Sequence, residues 1–312
     1  MKKIRYRIEY GVLLAMLGFL GLMTPEQSSN FAGKIGRKFG PKLKASKKAL
    51  THLKIALPGK TDAEYQAIIS GMWDNLARII AEYPHLEYFA PDVELAGIEH
   101  LKTALEKHGH VILFSGHLAN WEMMAPCLLR YNMPIDLVYR APNNPWSDKI
   151  LNRYRTLGGK LRTLPKSKTG TRHLVESLKE KRSIAILIDQ KYNEGIEAPF
   201  FGRPAMTSTA FVSLAQKFDC GLVPYRVERM PEGHFRLSFY PPFEVKDSDN
   251  QPIPAEKLIA EAHALLESWI TEKPEQWLWQ HRRWGNDTPK SDRMANRKSS
   301  QPQPTEPLPP AA

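Results

Sequence analysis

Between Thr61 and Tyr83 apolar residues recur every three to four positions, with Ile68, Ile69, Met72, Trp73, Leu76, Ile79 and Ile80 marking one face of a helix. Thr61 and Glu64 stand at capping-box spacing at its start, and Pro84 closes it. The same rhythm predicts a helix over Ile98 to Lys107, ended by Gly109. Beyond that point short unbroken apolar runs alternate with helical patterns. Val111 to Phe114, Ile135 to Tyr139 and Ser183 to Ile188 read as buried strands. Trp121 to Tyr131, Pro145 to Leu157, Thr171 to Lys181 and Thr207 to Phe218 read as helices, and Glu256 to Glu272 as the last one. Leu222 to Arg229 and Phe235 to Tyr240 form a hairpin pattern joined by Pro231-Glu232-Gly233. This alternation predicts an α/β fold, a mostly parallel sheet flanked by helices with an antiparallel edge.

Charge divides the 312 residues unevenly. Thirteen of the 44 Lys and Arg fall within residues 1–60 against Glu9 and Glu26, which accounts for the whole net charge of +11. The basic residues flank an apolar stretch, Ile8 to Met23, and Lys or Arg beside such a stretch is drawn to anionic lipid headgroups. Residues 1–48 therefore read as a membrane-anchoring basic and apolar segment with an N-terminal membrane-associated helix. Sixteen residues rise only about 24 Å as a helix, short of a hydrocarbon core of about 30 Å, so spanning and interfacial placements both stay open. No small-residue cleavage site follows Met23. Residues 49–288 form the catalytic domain of this reading, and residues 289–312, rich in Pro, Ser and Gln, a disordered tail. Cys127 and Cys220 sit among apolar neighbours and suit buried thiols. His108 and His110 read as surface residues. No phosphate loop, dinucleotide fingerprint or metal-ligand spacing occurs, so no metal or cofactor is expected.

The chemistry concentrates after the first strand, in Ser115-Gly116-His117-Leu118-Ala119-Asn120-Trp121-Glu122. An imidazole accepts a proton near neutral pH, and a carboxylate on its other nitrogen fixes the tautomer and stabilises the cation formed. His117 is the candidate general base and Glu122 the candidate carboxylate. With no Ser or Cys nucleophile in the turn, the base would activate a hydroxyl brought by the substrate. Asp189 and Arg140 end strands on the edge of the sheet where His117 emerges, which is where open α/β sheets bind ligands. Arg140 and Arg155 would suit a phosphate-bearing acceptor.

The turn is followed in order by Tyr139-Arg140-Ala141-Pro142-Asn143-Asn144-Pro145, Asp189-Gln190-Lys191-Tyr192-Asn193-Glu194-Gly195 and Pro199-Phe200-Phe201-Gly202-Arg203. The set resembles the lipid A late acyltransferases, the lauroyl/myristoyl transferase family of Gram-negative envelopes, over residues 5 to 285. The resemblance implies acyl transfer from an acyl carrier protein thioester to a hydroxyl of a lipid A precursor at the cytoplasmic face of the inner membrane, among its lipids. It implies His117 and Glu122 as the catalytic pair with Asn120 and Trp121 as the filling between them. It also implies a functional basic residue at Arg155, with Arg153 as competitor, and an acidic one at Asp189. Gly202 and Arg203 match a turn before a helix, where backbone N–H groups could meet an anion. The same mechanism on a lysophospholipid or another glycolipid, a hydrolase using the base on water, and a non-catalytic membrane- or nucleic-acid-binding module are the alternatives. No nucleic-acid partner is expected, because that last reading leaves the motif blocks without a purpose.

Overall fold

The computed structural model describes residues 2–130, 132, 135–165 and 168–285, so the tail read over 289–312 lies outside the described residues. Four helices, α1 (Lys2–Gly21), α2 (Pro25–Phe39), α3 (Lys44–Ala56) and α4 (Asp62–Glu82), lead to a single turn, α5 (Leu86–Phe89). The chain then alternates: β1 (Glu94–Ala96), α6 (Ile98–His108), β2 (Val111–Ser115), α7 (Met124–Leu129), β3 (Ile135–Tyr139), α8 (Pro145–Arg155), β4 (Arg162–Pro165), α9 (Lys168–Lys179) and β5 (Ser183–Leu187). A hairpin of β6 (Ile196–Phe200) and β7 (Arg203–Thr207) precedes α10 (Ala210–Phe218), β8 (Gly221–Arg229), β9 (Phe235–Phe239) and α11 (Ala255–Glu272).

Seven strands form one sheet in the order β1-β9-β8-β2-β5-β3-β4, and every neighbouring pair is parallel except β8 and β9. The antiparallel hairpin is as expected, but it lies one strand inside the edge, because β1 adds in parallel to β9. β2 runs through the middle with all five residues buried. Its alternation feeds two cores: Ile112 and Phe114 pack with Phe211 and Ile259 on one face, and Val111 and Leu113 with Leu101 and Met123 on the other.

The helix starts follow local chemistry. Thr61 accepts from the Glu64 N–H while Glu64 accepts from the Thr61 N–H, and Thr24 and Gln27 repeat the arrangement ahead of α2. Asn144 caps α8 through the Trp146 and Ser147 N–H groups, with Pro145 in the first turn. The helix expected over Trp121 to Tyr131 is shorter, a 3-10 turn at Trp121–Met123 running into α7, and Tyr131 lies outside the described residues. His110 is buried, contrary to the surface reading, with Nδ1 3.1 Å from the His108 carbonyl. Cys127 and Cys220 are free and buried.

The N-terminal helices lie against this body. α2 crosses α4 closely enough that a Cβ at Gly36 would fall 2.3 Å from the Trp73 carbonyl oxygen. Ser29 donates to Glu82 at 2.6 Å, and Trp73 Nε1 to Ser46 at 2.8 Å. α1 buries only Leu17 and Leu20, and leaves Ile4, Ile8, Val12 and Phe19 more than half exposed. No helix among the described residues is long and apolar enough to cross a membrane.

Candidate active site

Three adjacent parallel strands, β2, β5 and β3, end on one edge of the sheet and present His117, Asp189 and Arg140 respectively. Gly116 lets the first two loops meet: a Cβ there would sit 3.2 Å from the Asp189 carboxylate and 3.3 Å from Leu266. The turn that follows is tight, with Ala119 in the left-handed region at φ 46°. A segment just past α11 holds it there. The Ala119 N–H donates to the Gln276 carbonyl at 2.9 Å, and its carbonyl accepts from Asn75 on α4 at 3.1 Å.

Asp189 holds His117 twice. One carboxylate oxygen lies 2.7 Å from Nδ1 of the imidazole, and the other accepts the His117 backbone N–H at 2.8 Å. The second oxygen also accepts Trp277 Nε1–H at 2.8 Å. Burial alone would raise the Asp189 carboxyl, but the charge and hydrogen bonds of His117 outweigh it and hold the group well below the usual carboxylate range. With Nδ1–H donated to Asp189, the proton-accepting lone pair of His117 is on Nε2.

Glu122 does different work from that expected of it. Its oxygens accept from both Nε (2.9 Å) and an Nη (2.7 Å) of Arg155, from the Tyr83 hydroxyl at 2.7 Å and from Trp121 Nε1 at 3.2 Å. The carboxylate on His117 is therefore Asp189, and Glu122 anchors Arg155 and Tyr83. Burial opposes ionisation of Glu122, and the guanidinium of Arg155 more than offsets it, leaving the carboxyl below its ordinary value. Arg155 is thus paired with Glu122 while it also lines the cavity that His117 faces, and Arg153 is exposed on the same helix. Asn120 is fully buried, accepting the Glu122 N–H at 3.1 Å and donating to Glu82 at 2.8 Å, so its side chain holds the turn. Gly202 and Arg203 are exposed at the turn of the β6–β7 hairpin, not ahead of a helix. A separate strand, β7, intervenes before α10.

His117 opens onto a cavity of about 270 Å³. Met124, Leu137, Val138, Ile186 and Leu278 give it an apolar wall, while His117, Arg140, Gln190 and His281 stand on its polar side. Arg140, Gln190 and His281 are shared with a second recess of about 250 Å³, lined also by Lys191, Asn193 and Arg282. Sequence reasoning gave no part to Tyr83, Gln190, Trp277 or His281. The signal for the last two was the run Trp277-Leu278-Trp279-Gln280-His281-Arg282-Arg283-Trp284, too dense in aromatic and basic residues for an ordinary linker. Among the described residues no group of three or more His, Cys, Asp or Glu is placed to hold a metal ion.

The sequence model of a family described as bacterial lipid A biosynthesis acyltransferase matches residues 1–286. A lipid A biosynthesis acyltransferase of Haemophilus influenzae is 23% identical over 266 residues, covering 79% of this chain and 78% of its own. The lipid A biosynthesis lauroyltransferase of Escherichia coli K12 is 24% identical, with 75% of this chain and 76% of its own covered. The myristoyltransferase of the same organism is 22% identical over 89% and 88%. With the model matched across nearly all of it, the chain belongs to the bacterial lipid A biosynthesis acyltransferase family.

Proposed function

We propose that the protein transfers a fatty acyl chain from an acyl carrier protein thioester to a hydroxyl of a lipid A precursor, a late acylation, with His117 as general base and Asp189 orienting it. The observation that carries this reading is the His117–Asp189 pair opening on a cavity with one apolar wall. His117 Nε2 takes the acceptor hydroxyl proton as its oxygen attacks the thioester carbonyl. The tetrahedral intermediate then expels the thiolate, which recovers that proton from the imidazolium. Asp189, ionised throughout, stabilises the imidazolium between the two transfers. The apolar wall suits the acyl chain. Arg140, Lys191 and Arg282, which line the second recess together, suit an anionic group on either substrate. The Glu122–Arg155–Tyr83 cluster keeps one wall of the cavity in place.

The exposed apolar residues of α1, together with Phe31, Ile35 and Phe39 on α2 and the basic residues around them, support an interfacial N-terminal segment on the cytoplasmic face of the inner membrane. There the enzyme would meet a lipid acceptor. The test is transfer from lauroyl and myristoyl carrier protein to tetra-acylated lipid A precursor, with a lysophospholipid as rival acceptor and His117→Ala as control. Transfer to the precursor that disappears in His117→Ala is the expected result. Transfer to the lysophospholipid alone would move the acceptor. Release of free fatty acid as the only product would make the protein a hydrolase.

A further inference from the structure

Gln190 follows the orienting carboxylate directly, and its side-chain amide lies between two imidazoles. Its Nε2 is 3.2 Å from Nε2 of His117 and 3.4 Å from Nε2 of His281, and the two rings are 4.9 Å apart between centroids. The proton inventory fixes the direction of the contact with His117. His117 gives Nδ1–H to Asp189, so its Nε2 is a bare lone pair that only a donor can face. His281 is held neutral by burial, which pushes it down to about 4, so a tautomer with a free Nε2 lone pair can accept as well. One amide nitrogen thus serves both rings, and its contacts, at 3.2 and 3.4 Å, lie at the long end of the hydrogen-bond range. A neutral amide divided between two rings on the wall of the cavity is displaceable by a hydroxyl entering it. The lone pair it covers is the one an acceptor hydroxyl must reach within about 3 Å.

We propose that Gln190 is a positioning residue that caps the basic nitrogen of His117 until an acceptor hydroxyl displaces it, with His281 retaining the displaced amide, and that the cap favours transfer over hydrolysis. A lipid acceptor brings binding energy from the rest of its molecule to the contest for Nε2; a water molecule brings none. The suppressed side reaction is attack of water on the thioester carbonyl. In it the C–O bond forms and the C–S bond breaks, one water proton passes through His117 Nε2 to the thiolate, and free fatty acid and carrier thiol are released. The inference rests on the reading of His117 as the base.

The test uses the full chain and an acyl carrier protein thioester, with and without lipid A precursor, and measures hydrolysis and transfer in wild type, Gln190→Ala, Gln190→Asn and His117→Ala. Removing the cap is expected to raise the ratio of hydrolysis to transfer about five- to tenfold, the weight of one ordinary hydrogen bond. It should also lower the acceptor KM, whereas damage to the fold would raise KM and slow both reactions. Gln190→Asn, one methylene shorter and unable to span both rings, should move the same way and guards against a folding defect. A second readout is independent of turnover: carbethoxylation of His117 by diethyl pyrocarbonate, followed by mass spectrometry of its peptide, should be faster without the cap. Ratio and modification rate both within twofold of wild type, beside an inactive His117→Ala, would overturn the cap and leave the base. Activity surviving in His117→Ala would overturn the base and the cap with it.

Discussion

Two buried carboxylates flank the cavity, and their partners separate their tasks. Asp189 faces a titratable imidazole, and Glu122 faces a guanidinium that stays charged at any working pH. Removing the Glu122 charge leaves Arg155, itself only 14% exposed, without its counter-ion in a poorly solvated position. Glu122→Gln is therefore expected to cost about 3–5 kcal/mol, read as a lower denaturation midpoint at pH 7. The pH dependence has a definite sign. A carboxyl whose folded pKa lies below its ordinary value of 4.5 stabilises the protein fully above that value, and the contribution fades as pH falls toward the folded pKa. Glu122→Gln should thus lose less stability than wild type between pH 5 and pH 3, and parallel curves would contradict the assignment. His117 and Glu122 were legible as candidates because they are close in sequence. The true partner of His117 was not, since Asp189 is 72 positions away and reaches it only because β5 pairs beside β2. Asp189 itself could be picked out as a strand-end acid, but its role depends on strand order, which periodicity does not encode.

Elements announced by caps and long apolar faces, such as α4 and α6, lie where the pattern puts them. The pieces that escaped it are short: β1 has three residues and none is buried, and β4 has a single buried one, so neither carries an apolar run to read. The β6–β7 hairpin escaped because Pro199 and Pro204, paired across it, look like loop residues. Among the described residues α1 leaves its outer apolar face exposed, with Ile8 63% and Val12 64% accessible. In the proposed docking mode those side chains enter the headgroup boundary. Ile8→Asp/Val12→Asp is expected to reduce binding to anionic phospholipid vesicles at least tenfold, in a sedimentation assay, with the thermal midpoint unchanged because neither residue is in the core. Undiminished binding would remove α1 from the membrane contact.

The segment from Gln276 to His281 joins the parts of the protein that periodicity treats separately. Gln276 holds the Ala119 turn and bonds to Arg229 on β8, Trp277 donates to Asp189, and the His281 ring packs at a tilt beside His117. His117 is thus supported from two sheet loops and from a stretch of chain some 160 residues downstream of it, which is why the motif was legible and its support was not. Charge is divided with equal consequence: the basic excess lies in the N-terminal 60 residues, and the body that carries the site is neutral. In the proposed mechanism everything turns on Asp189 acting through His117. The most direct measurement is the kcat of acyl transfer by Asp189→Asn at saturating donor and acceptor, with fold verified by circular dichroism. The account predicts a fall of about 10²- to 10⁴-fold, the loss expected when a general base is left without its orienting carboxylate. A rate within threefold of wild type would contradict it.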